Sequence, residues 1–298
     1  MSDIRDQLSK AFADGVEAAG PSVLRVDGGR RFSASGFVWS SDGVVVTVSH
    51  ALEIEDGIEL GLPDGKTTRA ALVGRDPGTD VAVLRAESKE LTPARFVGLD
   101  GVRIAELVVA LGRPGRGLRA SLGIVSALGD GWRTPPGAKI ERFLQSDAGL
   151  ERGYSGSLLI GAGGAALGMN SAGLLRGSGV TLPKITLDRV VAAIVAHGRL
   201  RRGWLGIGTY PVRLPSALGA ERGQRTGLMV HAVHEKSPAE QAGFLLGDVL
   251  LSLSGQPTGQ IGELQALLDE ERIGEELSAS VLRAGRAQEL KVTIGARP

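Results

Sequence analysis

Hydrophobic positions change their spacing three times along the chain. At the start, Ile4, Leu8, Phe12 and Val16 recur every fourth residue among charged neighbours, which predicts a short helix with one apolar face within residues 1–20. That face serves either to dock the helix on its own domain or to make a subunit contact. From Pro21 to about Leu99 the apolar residues gather into short β-rich runs: Val23-Leu24-Arg25-Val26, Ser35-Gly36-Phe37-Val38-Trp39, Val44-Val45-Val46-Thr47-Val48 and Ile58-Glu59-Leu60-Gly61-Leu62. Asp42-Gly43 and Asp64-Gly65 break these runs as hairpin-type turns, and residues 70–74 and 81–85 continue the pattern. A second strand-rich block follows over about 102–185. Two successive all-β units of similar length predict two barrels or sandwiches packed together, about 21–100 and 101–186. Residues 187–202 return to helical spacing, with Val190, Val191, Ile194 and Val195 on one side, and read as a helical linker. The remainder, 203–298, mixes strands at 227–233, 249–253, 278–282 and 289–294 with helices at 238–243 and 261–271, an α+β module of ordinary domain size.

Composition agrees with a mostly β chain of more than one domain. Of 298 residues 42% are hydrophobic, enough for two or three small cores, and the 45 glycines greatly outnumber the aromatic residues. Net charge is +1, and from position 201 onward eleven basic residues face eleven acidic ones, so the basic excess that nucleic-acid binding needs is missing. The absence of cysteine removes disulfides, thiol catalysis and cysteine metal sites. The N-terminus holds no apolar core of signal-peptide length and no later run reaches membrane-spanning length. These features lead to the expectation of a cytoplasmic protein, or a periplasmic or secreted one if a leader has been removed.

The candidate chemistry centres on Gly153-Tyr154-Ser155-Gly156. A serine hydroxyl is a poor nucleophile until a base takes its proton, and Gly153 and Gly156 permit a tight turn whose N–H groups can converge on a developing oxyanion. The base must be one of four histidines. His50 ends the apolar run 44–48, a position from which a side chain reaches a cleft; His197 lies at a helix end beside Gly198; His231 and His234, three apart on a strand, form a poor metal pair. The orienting carboxylate is Asp80, directly before the apolar run 81–84, whereas Asp76 in the Pro77-Gly78 turn is suited to capping that turn. The order His50, Asp80, Ser155 differs from that of the α/β-hydrolases, and Ser157 breaks their Gly-x-Ser-x-Gly elbow.

Together with Ser35-Gly36-Phe37-Val38, Gly74-Arg75-Asp76-Pro77-Gly78-Thr79-Asp80-Val81-Ala82-Val83-Leu84 and Asp147 through Gly156, this order resembles the HtrA/Deg family of trypsin-like serine proteases. Arg202-Gly203-Trp204-Leu205-Gly206-Ile207 and the run from Ser237-Pro238-Ala239 to Gly247-Asp248-Val249-Leu250 resemble the PDZ domain that follows the protease in that family. The resemblance covers about residues 23–293. It implies a mostly β fold, a chymotrypsin-like double β-barrel followed by a smaller α+β PDZ domain. It also implies ATP-independent cleavage of unfolded or C-terminally exposed polypeptides in protein quality control and stress response, with no metal or cofactor.

In the roles so implied, Ser155 attacks, His50 transfers the proton and Asp80 holds the imidazole, while Gly153-Tyr154-Ser155 supplies the oxyanion hole, where one donor is worth about 3 kcal/mol. Gly149 lies at the base of the specificity pocket, and Gly168, Asn170, Ser171 and Ala172 belong to its wall. No acid stands at Gly149, which favours small or medium aliphatic residues before the scissile bond over Lys or Arg. In the PDZ domain, Trp204, Leu205, Gly206 and Ile207 form the carboxylate-binding loop, and Ile261, Leu264, Leu267 and Leu268 offer an apolar stripe to a C-terminal side chain. Family likeness further suggests a trimer through the N-terminal segment, with Phe12 a candidate contact. The chain departs from the family at Tyr154, where asparagine is usual, and at Ser157-Leu158 in place of Gly-Pro. A bulky residue and a lost glycine in the nucleophile turn leave a second reading open, a latent or weakly active protease fold acting as a peptide-binding, chaperone-like scaffold.

Overall fold

β-branched runs that alternate with Gly and Asp-Gly turns have little choice but to pair as antiparallel strands. The computed structural model describes residues 3–88, 90–135, 137–175, 178–216, 219 and 223–296. Mostly β, the chain divides into two compact units, residues 1–200 and 201–298.

In the first unit, β1 (Val23–Asp27), β2 (Ala34–Val38), β3 (Val44–Val48), β4 (Ile58–Gly61), β5 (Thr67–Asp76) and β6 (Val81–Ala86) close into a barrel of order β1-β2-β3-β6-β5-β4. Every residue of β2 and β3 is buried, and Leu24, Phe37, Ile58, Leu60 and Leu84 fill the interior. A second six-stranded sheet has the order β11-β8-β7-β12-β13-β14. It comprises β7 (Leu107–Gly112), β8 (Arg119–Gly129), β11 (Phe143–Ser146), β12 (Leu158–Gly161), β13 (Ala166–Leu175) and β14 (Ser178–Pro183). A small ladder of β9 (Trp132–Arg133) with β10 (Lys139–Ile140) leaves it between β8 and β11.

Two helices flank these strands. α1 (Ile4–Ala19) starts on an Asp3 cap and runs to Gly20. Its far half docks on the turn between β12 and β13, where Gly15 and Gly164 meet so closely that a Cβ on Gly15 would stand 2.4 Å from the Ala162 carbonyl oxygen. Phe12 and Val16 pack on the unit's own core, while Ile4 and Leu8 are exposed, so Phe12 is a docking residue and the free part of the stripe is Ile4 and Leu8. α2 (Lys184–His197) begins and ends earlier than its spacing predicts, stopped by Gly198 at φ 72°. Val190, Val191 and Ile194 are buried in the core shared with the barrel, and a Cβ on Gly74 of β5 would collide with the Gly198 carbonyl. The helix is thus an integral part of the first unit.

In the second unit, β16 (Ile207–Arg213), β17 (Thr226–Val233), β18 (Val249–Leu253), β20 (Glu276–Arg283) and β21 (Arg286–Thr293) lie in that order, with β19 (Gln256–Pro257) paired to β18 and β15 (Gly203–Trp204) paired to β22 (Gly295–Ala296). Leu205, Leu228, Phe244, Leu250, Leu264, Val281 and Val292 form its core. Both expected helices are shorter than predicted. Pro238–Gln241 is capped by the Ser237 hydroxyl, and Ile261–Ala266 opens on a Gln260/Glu263 capping box. The second ends early because the Leu268 carbonyl turns away to accept from Gly203 N–H. β16 escapes sequence reading because it is a half-exposed strand with polar and proline positions.

Candidate active site

Strand pairing brings the base and its carboxylate together. Antiparallel pairing of β3 with β6 sets Val48 opposite Val81, so the residues just after β3 and just before β6 become neighbours. His50 sits in the one-turn 3-10 helix Ser49–Ala51, and Asp80 precedes β6 in the left-handed region at φ 58°. Such a conformation costs a non-glycine residue on the order of 1 kcal/mol and persists only where neighbours enforce it. Here Asp80 Oδ1 accepts from the His50 backbone N–H at 2.9 Å, and Asp80 Oδ2 lies 2.8 Å from His50 Nδ1. A third bond, from Ser171 Oγ to Asp80 Oδ2 at 2.6 Å, completes the shell of a carboxylate that is 5% exposed. An ionised carboxylate only accepts, so Nδ1 carries the proton and the Nε2 lone pair of the neutral ring is left for a substrate or nucleophile. Asp76 is the turn cap, taking Thr79 N–H and Thr79 Oγ1 at 2.8 Å each.

The nucleophile turn, between β11 and β12, is fixed by close backbone approach. Gly153 (φ 87°) and Gly156 (φ 85°) are both left-handed; a Cβ on Gly153 would lie 2.4 Å from Pro114 Cβ, and one on Gly156 would lie 2.0 Å from the Ser35 carbonyl oxygen. β2 supports the turn from one side, with Ser35 N–H donating to the Ser155 carbonyl and Ser35 Oγ to the Gly153 carbonyl at 2.7 Å. Support from the other side comes from β13, through Gly156 N–H to the Asn170 carbonyl and Asn170 N–H to the Ser157 carbonyl.

The two departures in this turn have structural answers. Tyr154 is buried among Ala110, Ala148 and Leu150, the two alanines leaving room for its ring, and burial, assisted by Glu151 and opposed by Arg119, raises its phenol above the ordinary value. Ser157 keeps φ negative, so no glycine is needed there, and its hydroxyl accepts from Asn170 Nδ2 at 3.0 Å in a buried chain that continues to Thr181.

Of the three expected oxyanion-hole residues, Tyr154 is corrected: its amide donates to the Glu151 carbonyl at 3.0 Å to form the turn. The Gly153 and Ser155 N–H groups make no protein hydrogen bond among the described residues and flank the nucleophile. Ser155 Oγ itself accepts from Ala172 N–H at 3.3 Å, and no His50–Ser155 hydrogen bond is formed among the described residues.

The expected specificity residues separate into two groups. Gly149 and Ala172 are exposed, and Ala172 N–H meets the Ser155 hydroxyl. Gly168, Asn170 and Ser171 are buried: Gly168 lies against the Leu182 carbonyl of β14, Asn170 ties the nucleophile turn and Ser171 holds Asp80. Leu150 and Gly179, which the sequence does not single out, lie in close contact, with Leu150 Cδ1 2.3 Å from where a Cβ on Gly179 would sit. Gly173 similarly leaves room for the imidazole, with His50 Nδ1 2.6 Å from a Cβ built there.

The other histidines hold no metal-like arrangement. His197 is an exposed helix end, His231 stacks on Tyr210 and His234 leans on Trp204. In the second unit the loop Leu205-Gly206 is shaped by Gly206 at φ 80°, where a Cβ would meet Ser237 Cβ at 2.2 Å. Its carbonyls accept from Ala239 and His234, while the Leu205 and Gly206 N–H groups have no partner among the described residues. Leu205 and Leu264 belong to the core, Ile207 and Leu268 are partly buried against it and Ile261 is exposed. Helix Ile261–Ala266 packs beside β16, whose outer edge pairs with no other strand among the described residues.

Comparison with known proteins finds a trypsin-like peptidase domain over residues 34–169 and a PDZ domain over residues 203–294. A relative from Ectopseudomonas mendocina, named as a probable periplasmic serine endoprotease, DegP-like, is 35% identical over 98% of this chain and 63% of its own length. Another from Haemophilus influenzae, named as a probable periplasmic serine protease, do/HhoA-like, is 33% identical over 86% of this chain and 56% of its own. The chain therefore spans a little under two thirds of the length of such relatives. Among solved structures, the HtrA-type protease AlgW with a decapeptide superimposes with a TM-score of 0.74 at 30% identity, covering 96% of this chain and 99% of that one. The same protease with a tripeptide gives 0.72 at 32% identity over 96% and 97%. The periplasmic naming of these relatives overturns the cytoplasmic expectation, because an amphipathic N-terminal helix carries no address of its own. Among the described residues no helix is long and apolar enough to cross a membrane.

Proposed function

The chain belongs to the HtrA (DegP-like) family of trypsin-like serine proteases with a PDZ domain, and from that premise we propose that it is a serine endopeptidase acting on unfolded or C-terminally exposed polypeptides. The observation that carries this reading is the two-point grip of Asp80 on His50, with a serine whose own N–H and that of Gly153 have no partner among the described residues.

In the proposed reaction, Ser155 Oγ exchanges the Ala172 N–H for the His50 imidazole and attacks the peptide carbonyl as Nε2 takes its proton. The Gly153 and Ser155 N–H groups receive the oxyanion. His50 then protonates the leaving amine, the acyl-enzyme forms, and water activated by the same imidazole releases the acid. Asp80 stays ionised throughout and stabilises the imidazolium. Leu150 packs against Gly179, and a leucine at that place would narrow the pocket, in line with small or medium aliphatic residues before the scissile bond. A peptide C-terminus would add to the open edge of β16, its carboxylate on the Leu205 and Gly206 amides and its last side chain against Ile207, Ile261, Leu264 and Leu268. The exposed Ile4 and Leu8 favour a subunit contact through α1, a trimer by family likeness.

Labelling with a serine-directed phosphonate tests the assembled site. The protein takes up one label, and the Ser155→Ala and His50→Ala variants take up none; label retained by Ser155→Ala contradicts the assignment. One observation favours a second reading, a latent enzyme: the Ser155 hydroxyl rests on Ala172 N–H, with no bond to His50. Under that reading, labelling is slow until a peptide with a free hydrophobic C-terminus is added.

A further inference from the structure

We propose that the leaving-group side of the cleft selects an acidic residue, through a cluster in which Arg31 and Arg152 flank the exposed ring of Phe32. This rests on the protease reading above and goes beyond it by naming what lies after the scissile bond. The guanidinium carbons of Arg152 and Arg31 lie 5.1 Å and 5.5 Å from the Phe32 ring centroid, and Phe32 is 51% exposed. A phenyl ring held open to solvent attracts cations to its π face, and here it holds two.

The cluster's position follows from its neighbours. Arg152 directly precedes Gly153, and Phe32 directly precedes Ser33, whose carbonyl oxygen lies 2.8 Å from where a Cβ on Gly153 would sit. Ser155 meets β13 through Oγ, which accepts from Ala172 N–H, and β2 through its carbonyl, which accepts from Ser35 N–H. A peptide whose carbonyl oxygen fills the Gly153 and Ser155 amides, and whose acyl part lies along Ala172 and Gly173, carries its amine part out past Ser33 and Phe32.

Charge then decides the preference. The neighbouring cations are paired, Arg25 with Asp27 at 2.7 Å, Arg30 with Glu53 at 2.9 Å and Arg119 with Glu151 at 3.9 Å. Asp27 also accepts from Ser33 Oγ. Arg31 and Arg152 have no carboxylate within ion-pair distance among the described residues. Two guanidinium forks, pre-positioned on one ring and matched in shape to carboxylates, form a local positive site on a chain of net charge +1. An Asp or Glu in the first or second position after the scissile bond is the complementary group, and Lys or Arg there is repelled.

The test uses peptides amidated at the C-terminus, so that the PDZ domain has no carboxylate to hold. They share an acyl side ending in Val and continue Asp-Glu, Gln-Asn or Lys-Arg. Each is titrated into the full-length Ser155→Ala protein, and each is assayed for cleavage by the unmodified protein. The acidic peptide is expected to bind about fivefold tighter than the basic one at low salt, the scale of an exposed ion pair, with the ratio falling as salt rises. In the Arg31→Glu/Arg152→Glu double variant on the Ser155→Ala background the order reverses. Taking the ratio within each protein cancels any loss of folded material. Binding that is absent or equal for the three peptides, or an unchanged order in the double variant, overturns the proposal. Charge-selective binding without cleavage of any peptide supports it and contradicts the protease reading instead.

Discussion

At the scale of residues, the candidate site depends on side chains buried behind the proposed reacting groups. Ser171 donates one of the three hydrogen bonds that hold Asp80, and hydrogen bonds to a buried charge are worth about 1.5–3 kcal/mol. Ser171→Ala is therefore expected to lower kcat by about tenfold or more with KM little changed, as measured by steady-state cleavage of a fluorogenic peptide; an unchanged kcat contradicts the role. Leu150→Ala should open space beside Gly179, moving preference from Ala and Val towards Leu and Phe by about tenfold or more in kcat/KM, the scale of one methylene in an apolar pocket. Profiling with a peptide series checks this, and an unchanged profile removes Leu150 from the pocket. His50, Asp80 and Ser155, the residues proposed for the triad, each sit beside a feature that sequence displays: the end of a valine run, the start of another and a glycine pair. Asn170 and Ser171 were legible only as neighbours of the cleft. Their actual work, tying the nucleophile turn and clamping Asp80, depends on strand register, which no local pattern encodes.

At the scale of elements, the strands of the first barrel were readable because apolar runs ended at Asp-Gly turns, and β16 was missed because its pattern is mixed. α1 is held by close backbone contact as well as by Phe12 and Val16: Gly15 meets the Ala162–Gly164 turn with no space for a side chain. Gly15→Ala should destabilise the first unit by about 1–3 kcal/mol through overpacking, despite the better helix propensity of alanine. A shift of the urea midpoint to lower concentration supports this docking, while a more stable variant contradicts it. In the second unit, the unpartnered amides of Leu205 and Gly206 predict recognition of a terminal carboxylate in the micromolar range. Calorimetric titration of a peptide ending in an apolar residue, beside its amidated form, checks this; equal affinity for both forms shows that the carboxylate takes no part in recognition.

At the scale of the whole molecule, composition and spacing conveyed two successive β units and a third α+β module, and the structure resolves these into a closed barrel, a six-stranded sheet and a second compact unit. Compartment was not legible, because it belongs to targeting rather than to folding, and the relatives correct it. The proposed function turns on Ser155, primed by His50 and Asp80, cutting polypeptide chains. The decisive experiment is digestion of unfolded casein by the purified protein beside its Ser155→Ala variant, with and without a peptide ending in a free hydrophobic carboxyl group. Casein is expected to be cleaved, faster when the peptide is present, and to survive in the Ser155→Ala reaction. Intact casein under both conditions, or equal cleavage by the variant, would contradict a serine endopeptidase.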